Sequence, residues 1–266
     1  MGLISILIVT LVVVFLARRW PSAAPILYVA LAVRAFVIVM GNNFITLPDT
    51  TGDAYWFEIQ AYEWSLLGFP DVLYSFEGWD PTFKKDVSMS AFKSSFFVSY
   101  IIAILYSLSE RSVMMAQSIS LLFGTLSVLM SWTLAQKLWD NQTAMKVGWF
   151  VALFPSLILY SALVMREIYV CFFLLVALNY VVDWSRTGSL KSFFLVILNF
   201  MIGMVFHGGV IVGLIVFLLI FSLKHIKELF KKIFNGFILY KPFIGFALIA
   251  TFIVYNGVSN IYIPKI

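Results

Sequence analysis

The sequence predicts an all-α, polytopic membrane protein, and three observations carry that expectation. Of 266 residues, 62% are hydrophobic, only 12% are charged, and the mean hydropathy is +0.99. A soluble globule of this length cannot hide so much apolar surface. Apolar residues gather in long runs that are apolar on all faces, as lipid-facing helices are. Basic residues gather at the ends of those runs, where orientation in a bilayer places them. The net charge of +5 therefore reads as topology and not as nucleic-acid binding. The single Cys171 lies inside an apolar run, which excludes a disulfide within the chain and argues against a thiolate metal site.

Taken in order, the apolar windows are 3–17, 22–40, 92–108, 112–135, 146–164, 168–184, 191–206, 208–223 and 240–256. The first lacks a basic start, has Arg18-Arg19 after it and shows no small-residue cleavage site, so it reads as a retained span and not a secretory signal. Four basic clusters follow the windows. They are Arg18-Arg19, then Lys137 with Lys146, then Arg186 with Lys191, then Lys224, Lys227, Lys231 and Lys232. The last three clusters are each two spans apart and share a side, which the positive-inside rule makes cytoplasmic. Arg18-Arg19 belongs on that side too, yet three apolar segments separate it from Lys137. One of the three therefore does not cross.

Window 92–108 is the segment expected not to cross. It is short, opens with Lys93-Ser94-Ser95 and holds Ser99 and Ser107. A re-entrant or interfacial helix tolerates that composition better than a lipid-exposed span does. The expected architecture is a single membrane domain over 1–266 with about eight crossings plus this helix. It sits in a plasma (bacterial inner) membrane, with both termini and the loop 41–91 outside the cytoplasm. Alternatively, 3–40 enters the bilayer only once, which leaves the same outer loop. Both versions put Arg166-Glu167 and His207-Gly208-Gly209 on the loop's side.

The loop is the chemically dense part of the chain. Eight of the thirteen acids lie there: Asp49, Asp53, Glu58, Glu63, Asp71, Glu77, Asp80 and Asp86. Trp56, Trp64 and Trp79 accompany them. A helix is expected from Asp53 to Leu67, ended by Gly68-Phe69-Pro70. Helical spacing puts Asp53, Trp56, Phe57, Gln60, Trp64 and Leu67 on one face and Tyr55, Ile59, Tyr62 and Leu66 on another, a pattern for lying at an interface. Asp53 is either an N-cap or first-turn acid that steadies the helix, or a carboxylate presented to a polar substrate.

Three further places stand out. Arg166 and Glu167 meet where one span ends and the next begins. Charges at membrane depth are expensive, unless both simply reach headgroup water. Neighbouring residues do not face each other on a helix, so separate partners are expected for the two. His207 precedes Gly208-Gly209 at a break between apolar runs, where glycine permits close approach of another group. Arg34, inside the second window, should face an aqueous cavity or pair with an acid. Lys84 and Lys85 read as a solvated pair or as contacts to a lipid phosphate. The sequence shows no glycine-rich phosphate loop, metal-spaced His pair, Cys pair or serine-hydrolase elbow.

These residues together resemble the GT-C superfamily of membrane glycosyltransferases, which includes the protein mannosyltransferases. Gly52-Asp53-Ala54 with Phe57 and Ala61 is similar to the acid-bearing start of that family's juxtamembrane helix. Window 92–108 resembles the amphipathic segment that closes its first outer loop. Ala135-Gln136-Lys137-Leu138-Trp139 resembles its basic cytoplasmic turn, and Pro155-Ser156 and Glu167 its later helix end and second acid. His207-Gly208-Gly209 resembles a later helix start, although an Arg is commoner there in the family. The likeness covers residues 45–220.

The resemblance implies a GT-C-like fold and an inverting glycosyltransferase of surface-glycan assembly. It implies a polyprenyl-(pyro)phosphate sugar donor and a glycan or lipid-linked acceptor, within a membrane of lipid partners and with no nucleic acid. Asp53 is then the base and Glu167 a second carboxylate that orients acceptor or metal. No cofactor is certain, though a divalent cation is compatible. Arg166 and His207 would contact phosphate. Tyr55, Trp56, Glu58, Lys84, Lys85 and Arg34 would complete substrate binding. A surface-polysaccharide polymerase or ligase is the neighbouring enzymatic alternative. A lipid-linked glycan flippase is the alternative from another class, but it would need polar groups along several spans.

Overall fold

The structure, a computed structural model, describes residues 1–75 and 96–234, with Lys224, His225 and 227–234 described in backbone alone. The chain divides into two compact units, Met1–Leu214 and Ile215–Ile266. Every residue discussed from here on as part of a site belongs to the first unit. Among the described residues, helix is the only regular secondary structure.

Among the described residues ten α-helices occur in chain order: α1 Gly2–Arg19, α2 Ala24–Asn43, α3 Asp53–Ser65, α4 Phe97–Leu108 and α5 Val113–Leu138, then α6 Asn141–Leu153, α7 Pro155–Ala162, α8 Glu167–Thr187, α9 Leu190–Phe206 and α10 Ile211–Phe234. Short 3-10 turns cover Asp71–Tyr74 and Gly208–Val210. Among the described residues four helices, α1, α2, α5 and α8, are long and apolar enough to cross a membrane, and α6 with α7 passes the same test as a bent pair, a fifth if the pair is one span. About eight crossings are expected from the sequence; window 240–256 lies outside the described residues. α9 has 17 residues, a length of about 25 Å against a hydrocarbon core of about 30 Å.

The helix ends follow local chemistry. Arg18 and Arg19 occupy the last turn of α1, where cations complement the carbonyl end of the helix dipole. Pro25 stands in the first turn of α2, where no hydrogen bond is lost. Ser112 caps α5 through its hydroxyl, which accepts from the Met115 N–H at 3.3 Å. Asp140 caps α6 by accepting from the Thr143 N–H at 2.6 Å, and that bond holds its carboxyl below the usual carboxylate range. The contribution is present above the unfolded carboxylate value and is lost as pH falls through the lower folded one. Gly188 ends α8 in the left-handed region at φ 64°, a conformation glycine adopts without strain.

Side-chain contacts fix the helix directions. Gly2 at the start of α1 faces Met114 and Ser112 at the start of α5, while Ala17 shares a core cluster with Trp132 and Ala135. Asn42 at the end of α2 donates to Gln117 of α5 at 2.7 Å. Ser120 and Tyr169 hydroxyls pair at 3.2 Å at the starts of α5 and α8, and Lys137 and Asp183 pair at 2.8 Å at their ends. Phe206 at the end of α9 stacks on Tyr169 with ring centroids 5.0 Å apart. So α1, α5 and α8 run one way while α2 and α9 run the other. Arg18, Arg19, Lys137, Arg186 and Lys191 collect at one end of the bundle. The starts of α5 and α8 and the end of α9 define the other.

α5 is the central strut. Gln117, Ser118, Ser120, Thr125, Ser127 and Ser131 on it are all buried. Short side chains of this kind let neighbouring helix backbones approach closely in a membrane protein. Thr125 and Ser127 return their hydroxyl protons to the carbonyls of Leu121 and Phe123, so burial does not leave these two donors idle.

α4 is short. Its twelve residues give a length of about 18 Å, well under a bilayer core. It lies against α3: the Ser99 hydroxyl donates to the Phe57 carbonyl at 2.7 Å and the Tyr106 hydroxyl to Glu58 at 2.9 Å. Residues 92–95 of the window lie outside the described residues.

Candidate functional site

The site is built on α3, which starts at Asp53 as expected and ends at Ser65, two residues before the expected Leu67. Gly52 is the N-cap position and Asp53 the first helical residue. Gly68, at φ 76° in the left-handed region, stands just past the end. Asp53 is exposed, and the N-cap Gly52 before it carries no side chain to cap the helix. Its carboxylate therefore sits in the first turn, where negative charge is favoured, and remains presented to solvent.

The buried face of α3 differs from the expected one. Ala54, Phe57, Glu58 and Ala61 are buried, which is a single stripe at helical spacing. Trp56, expected beside Phe57, is 57% exposed, and Tyr55 is 48% exposed. Their rings meet edge to face, centroids 5.7 Å apart. The reason is packing: α4 covers Phe57, Glu58 and Ala61, while Ala54 lies against Leu163 and Met165, and the aromatic pair is left outside.

Glu58 is buried because it is fully paired. Arg111 donates to it through Nε at 2.9 Å and Nη2 at 2.7 Å, and Tyr106 adds a third bond at 2.9 Å. The Arg111 guanidinium also lies over the Tyr62 ring at 4.2 Å. The hydrogen bond to Glu58 raises the Arg111 pKa. Burial, reinforced by the Glu58 carboxylate, pushes the Tyr106 phenol above its ordinary value. The three groups form a clamp tying α3 to α4 and to the α4–α5 turn. Glu58, expected among substrate contacts, has its two carboxylate oxygens occupied by protein donors. Arg111 and Tyr106 were not legible as partners, since no periodicity links position 58 to positions 106 and 111.

Arg166 and Glu167 pair with each other, Nε to Oε1 at 3.2 Å. Separate partners are the sequence expectation, and the correction has a local cause. Arg166 is the N-cap of α8 and Glu167 its first residue, so helical side-chain spacing does not yet govern them. The Arg166 guanidinium also faces the Phe57 ring of α3, 5.8 Å from its centroid. The second oxygen of Glu167, Oε2, is buried and has no hydrogen-bond partner among the described residues. Such an orphan acceptor is uncommon in folded proteins.

His207 ends α9 in extended backbone and is exposed. A Cβ on Gly209 would come within 3.1 Å of its Nε2. The group that approaches the glycines is thus the imidazole itself.

Two apolar clusters draw these positions to one end of the bundle. Phe57 and Ala61 of α3 share a cluster with Val164, Ile168 and Phe206, the last adjacent to His207. Ala54, adjacent to Asp53, shares another with Leu163 and Met165, the last adjacent to Arg166. Asp53, Arg166-Glu167 and His207 are therefore carried on elements that converge.

Arg34 is placed elsewhere. It is fully buried midway along α2, and its donors go to Ser161 Oγ and to the carbonyls of Ala30, Ala152 and Val151. Among the described residues no acid pairs with it; it is held largely by carbonyls at a helix break. Lys84, Lys85, Glu77, Trp79, Asp80 and Asp86 lie outside the described residues. Among the described residues no three His, Cys, Asp or Glu side chains come together as a metal site.

Fold and composition define the class: an α-helical protein with several membrane-spanning helices. Comparison of the chain with protein-family models, with curated proteins and with solved structures finds no match in any of the three.

Proposed function

We propose that the protein is an inverting GT-C-type glycosyltransferase of surface-glycan assembly. It moves a sugar from a polyprenyl-(pyro)phosphate donor to a glycan or lipid-linked acceptor at the extracytoplasmic face. The observation that carries this reading is the convergence of an exposed first-turn Asp53 with the Arg166–Glu167 pair and His207 at one end of a helical bundle. In a single displacement, Asp53 takes the proton of the acceptor hydroxyl as its oxygen bonds to the anomeric carbon. The bond from that carbon to the phosphate oxygen breaks, and the electron pair leaves with the polyprenyl phosphate. Arg166 and His207 balance that charge. Glu167 keeps one oxygen on Arg166 and has the other free to accept from a sugar hydroxyl. The exposed rings of Tyr55 and Trp56 offer an apolar surface to the sugar. Arg34 has spent its donors within the bundle, which supports surface chemistry over a polar path through the spans.

The face follows from charge. The basic end of the bundle is cytoplasmic by the positive-inside rule, so α3 faces outward. With Cys171 replaced by Ser, a cysteine at exposed Glu63 should react with an impermeant reagent from outside, and one at exposed Thr187 only after permeabilisation. The opposite pattern would invert the model.

Donor contacts are tested separately. Arg166→Ala and His207→Ala should raise the KM for a defined lipid-linked sugar by about 10-fold or more, as loss of a charged hydrogen bond of about 1.5–3 kcal/mol implies. The acceptor KM should change little. Equal effects on both substrates would remove these residues from the phosphate.

A further inference from the structure

We infer that Arg34 is a positioning residue, a tethered cation that sets the bend of the fourth span and so places the Arg166–Glu167 pair against α3. Calling the residue a positioning one rests on the proposed function; its contacts stand without it. The argument starts from Pro155. Proline has no N–H, so the Val151 carbonyl loses its helical donor. The chain breaks at Phe154, whose ψ of 118° is extended, and α6 and α7 diverge by 55°. The last carbonyls of α6 then lie unsatisfied at membrane depth, where each unmade bond is costly.

Arg34 answers that need. Its Nη1 donates to Ala152 O at 2.8 Å and to Ala30 O at 3.1 Å, and Nη2 reaches Val151 O at 3.4 Å. On the other side of the break, Nε donates to Ser161 Oγ of α7 at 2.9 Å. One planar fork thus grips both halves of the broken span from α2. Among the described residues no carboxylate pairs with it. The negative end of the α6 dipole stands in for a counterion. Gly124 of α5 makes room, since a Cβ there would fall 2.3 Å from Ser161 Cβ and 3.3 Å from Arg34 Nε.

The grip on Ser161 has a direct sequel. Five residues later comes Arg166, and the intervening Leu163, Val164 and Met165 are the side chains that pack against α3. The angle of α7 therefore sets where the ion pair sits. A lysine, with one ammonium head, cannot hold both halves of the break in the same fork. A free guanidinium ion has the right shape and charge for the cradle that Arg34→Ala would leave.

The test uses full-length protein with Cys171 replaced by Ser and cysteines at Ala54 and Met165, which share one apolar cluster. Crosslinking by a short bifunctional reagent reports the seating of the 163–167 turn without any activity. Arg34→Ala should lower the yield several-fold, Arg34→Lys less, and Ser161→Ala less again. Guanidinium ion, far below denaturing concentrations, should restore the yield in Arg34→Ala, whereas sodium or tetramethylammonium should not. Transfer should fall with crosslinking, by about 10²-fold as small misplacements do, and recover with it. Unchanged crosslinking in a folded Arg34→Ala would overturn the inference. So would a loss that guanidinium does not reverse, or unfolding of all three variants whether or not guanidinium is present. If crosslinking responds as stated but no variant, nor the parent, transfers sugar, the positional account stands and the proposed function fails.

Discussion

Asp53→Asn should reduce sugar transfer by about 10²–10⁴-fold, the range for removal of a general base, while the folded protein stays intact. The exchange is nearly isosteric. Asp53 is exposed in the first turn of α3, so the loss in stability is that of its charge at the helix start, about 0.3–1 kcal/mol. A helix-steadying acid and a base differ on this one variant. A purely structural Asp53 predicts a slightly lower Tm and unchanged turnover. A base predicts the reverse balance. Glu167→Gln should impair transfer less, because the amide keeps an acceptor oxygen but loses the ion pair with Arg166.

Arg111→Ala should produce the largest loss of stability among the charged residues around the site, about 2–3 kcal/mol. It removes two charge-assisted bonds and strands a carboxylate that is only 5% exposed. The figure sits at the lower end of what breaking a buried pair costs, because the Arg111 side chain is itself 38% exposed. Tyr106→Phe removes one bond to the same carboxylate and should cost about 1.5 kcal/mol. Thermal unfolding in detergent, with the Glu58→Gln/Arg111→Ala double variant, checks the assignment. In the clamp account the double variant is less destabilised than the sum of the two singles. Additive losses would mean that the three groups do not act as a unit.

Much of the helical plan is readable from residue order. The runs 3–17, 22–40, 112–135 and 168–184 became α1, α2, α5 and α8 because long apolar segments leave the backbone one solution in a bilayer. The start and end of α3 were readable from Gly52-Asp53 and Gly68, since punctuation of this kind acts locally. The separation of Arg18-Arg19 from Lys137 by three segments points to one that does not cross, and the described part of window 92–108 forms a helix of twelve residues, α4.

What was not readable depends on contacts distant in sequence. The buried stripe of α3 holds two alanines, a phenylalanine and a glutamate. Polarity alone does not turn Glu58 inward; Arg111, 53 positions away, does. Arg34 is expected to pair with an acid or face an aqueous cavity, and its partners are the Ser161 hydroxyl and three carbonyls, which every residue carries and no sequence pattern marks. The 146–164 window read as one span, although Pro155 within it was the sign of the break. Arg166 and Glu167 were assigned separate partners by a helix rule that does not hold where the helix begins.

The most direct test of the central claim puts purified wild-type protein into liposomes with a defined polyprenyl-phosphate sugar and a glycan acceptor. Transfer and transbilayer movement of the lipid are followed in the same vesicles. The account predicts a new glycosidic bond with inverted configuration, formed by the wild type and nearly absent with Asp53→Asn. Movement of the lipid-linked sugar across the bilayer with no sugar transferred would contradict it and favour a flippase.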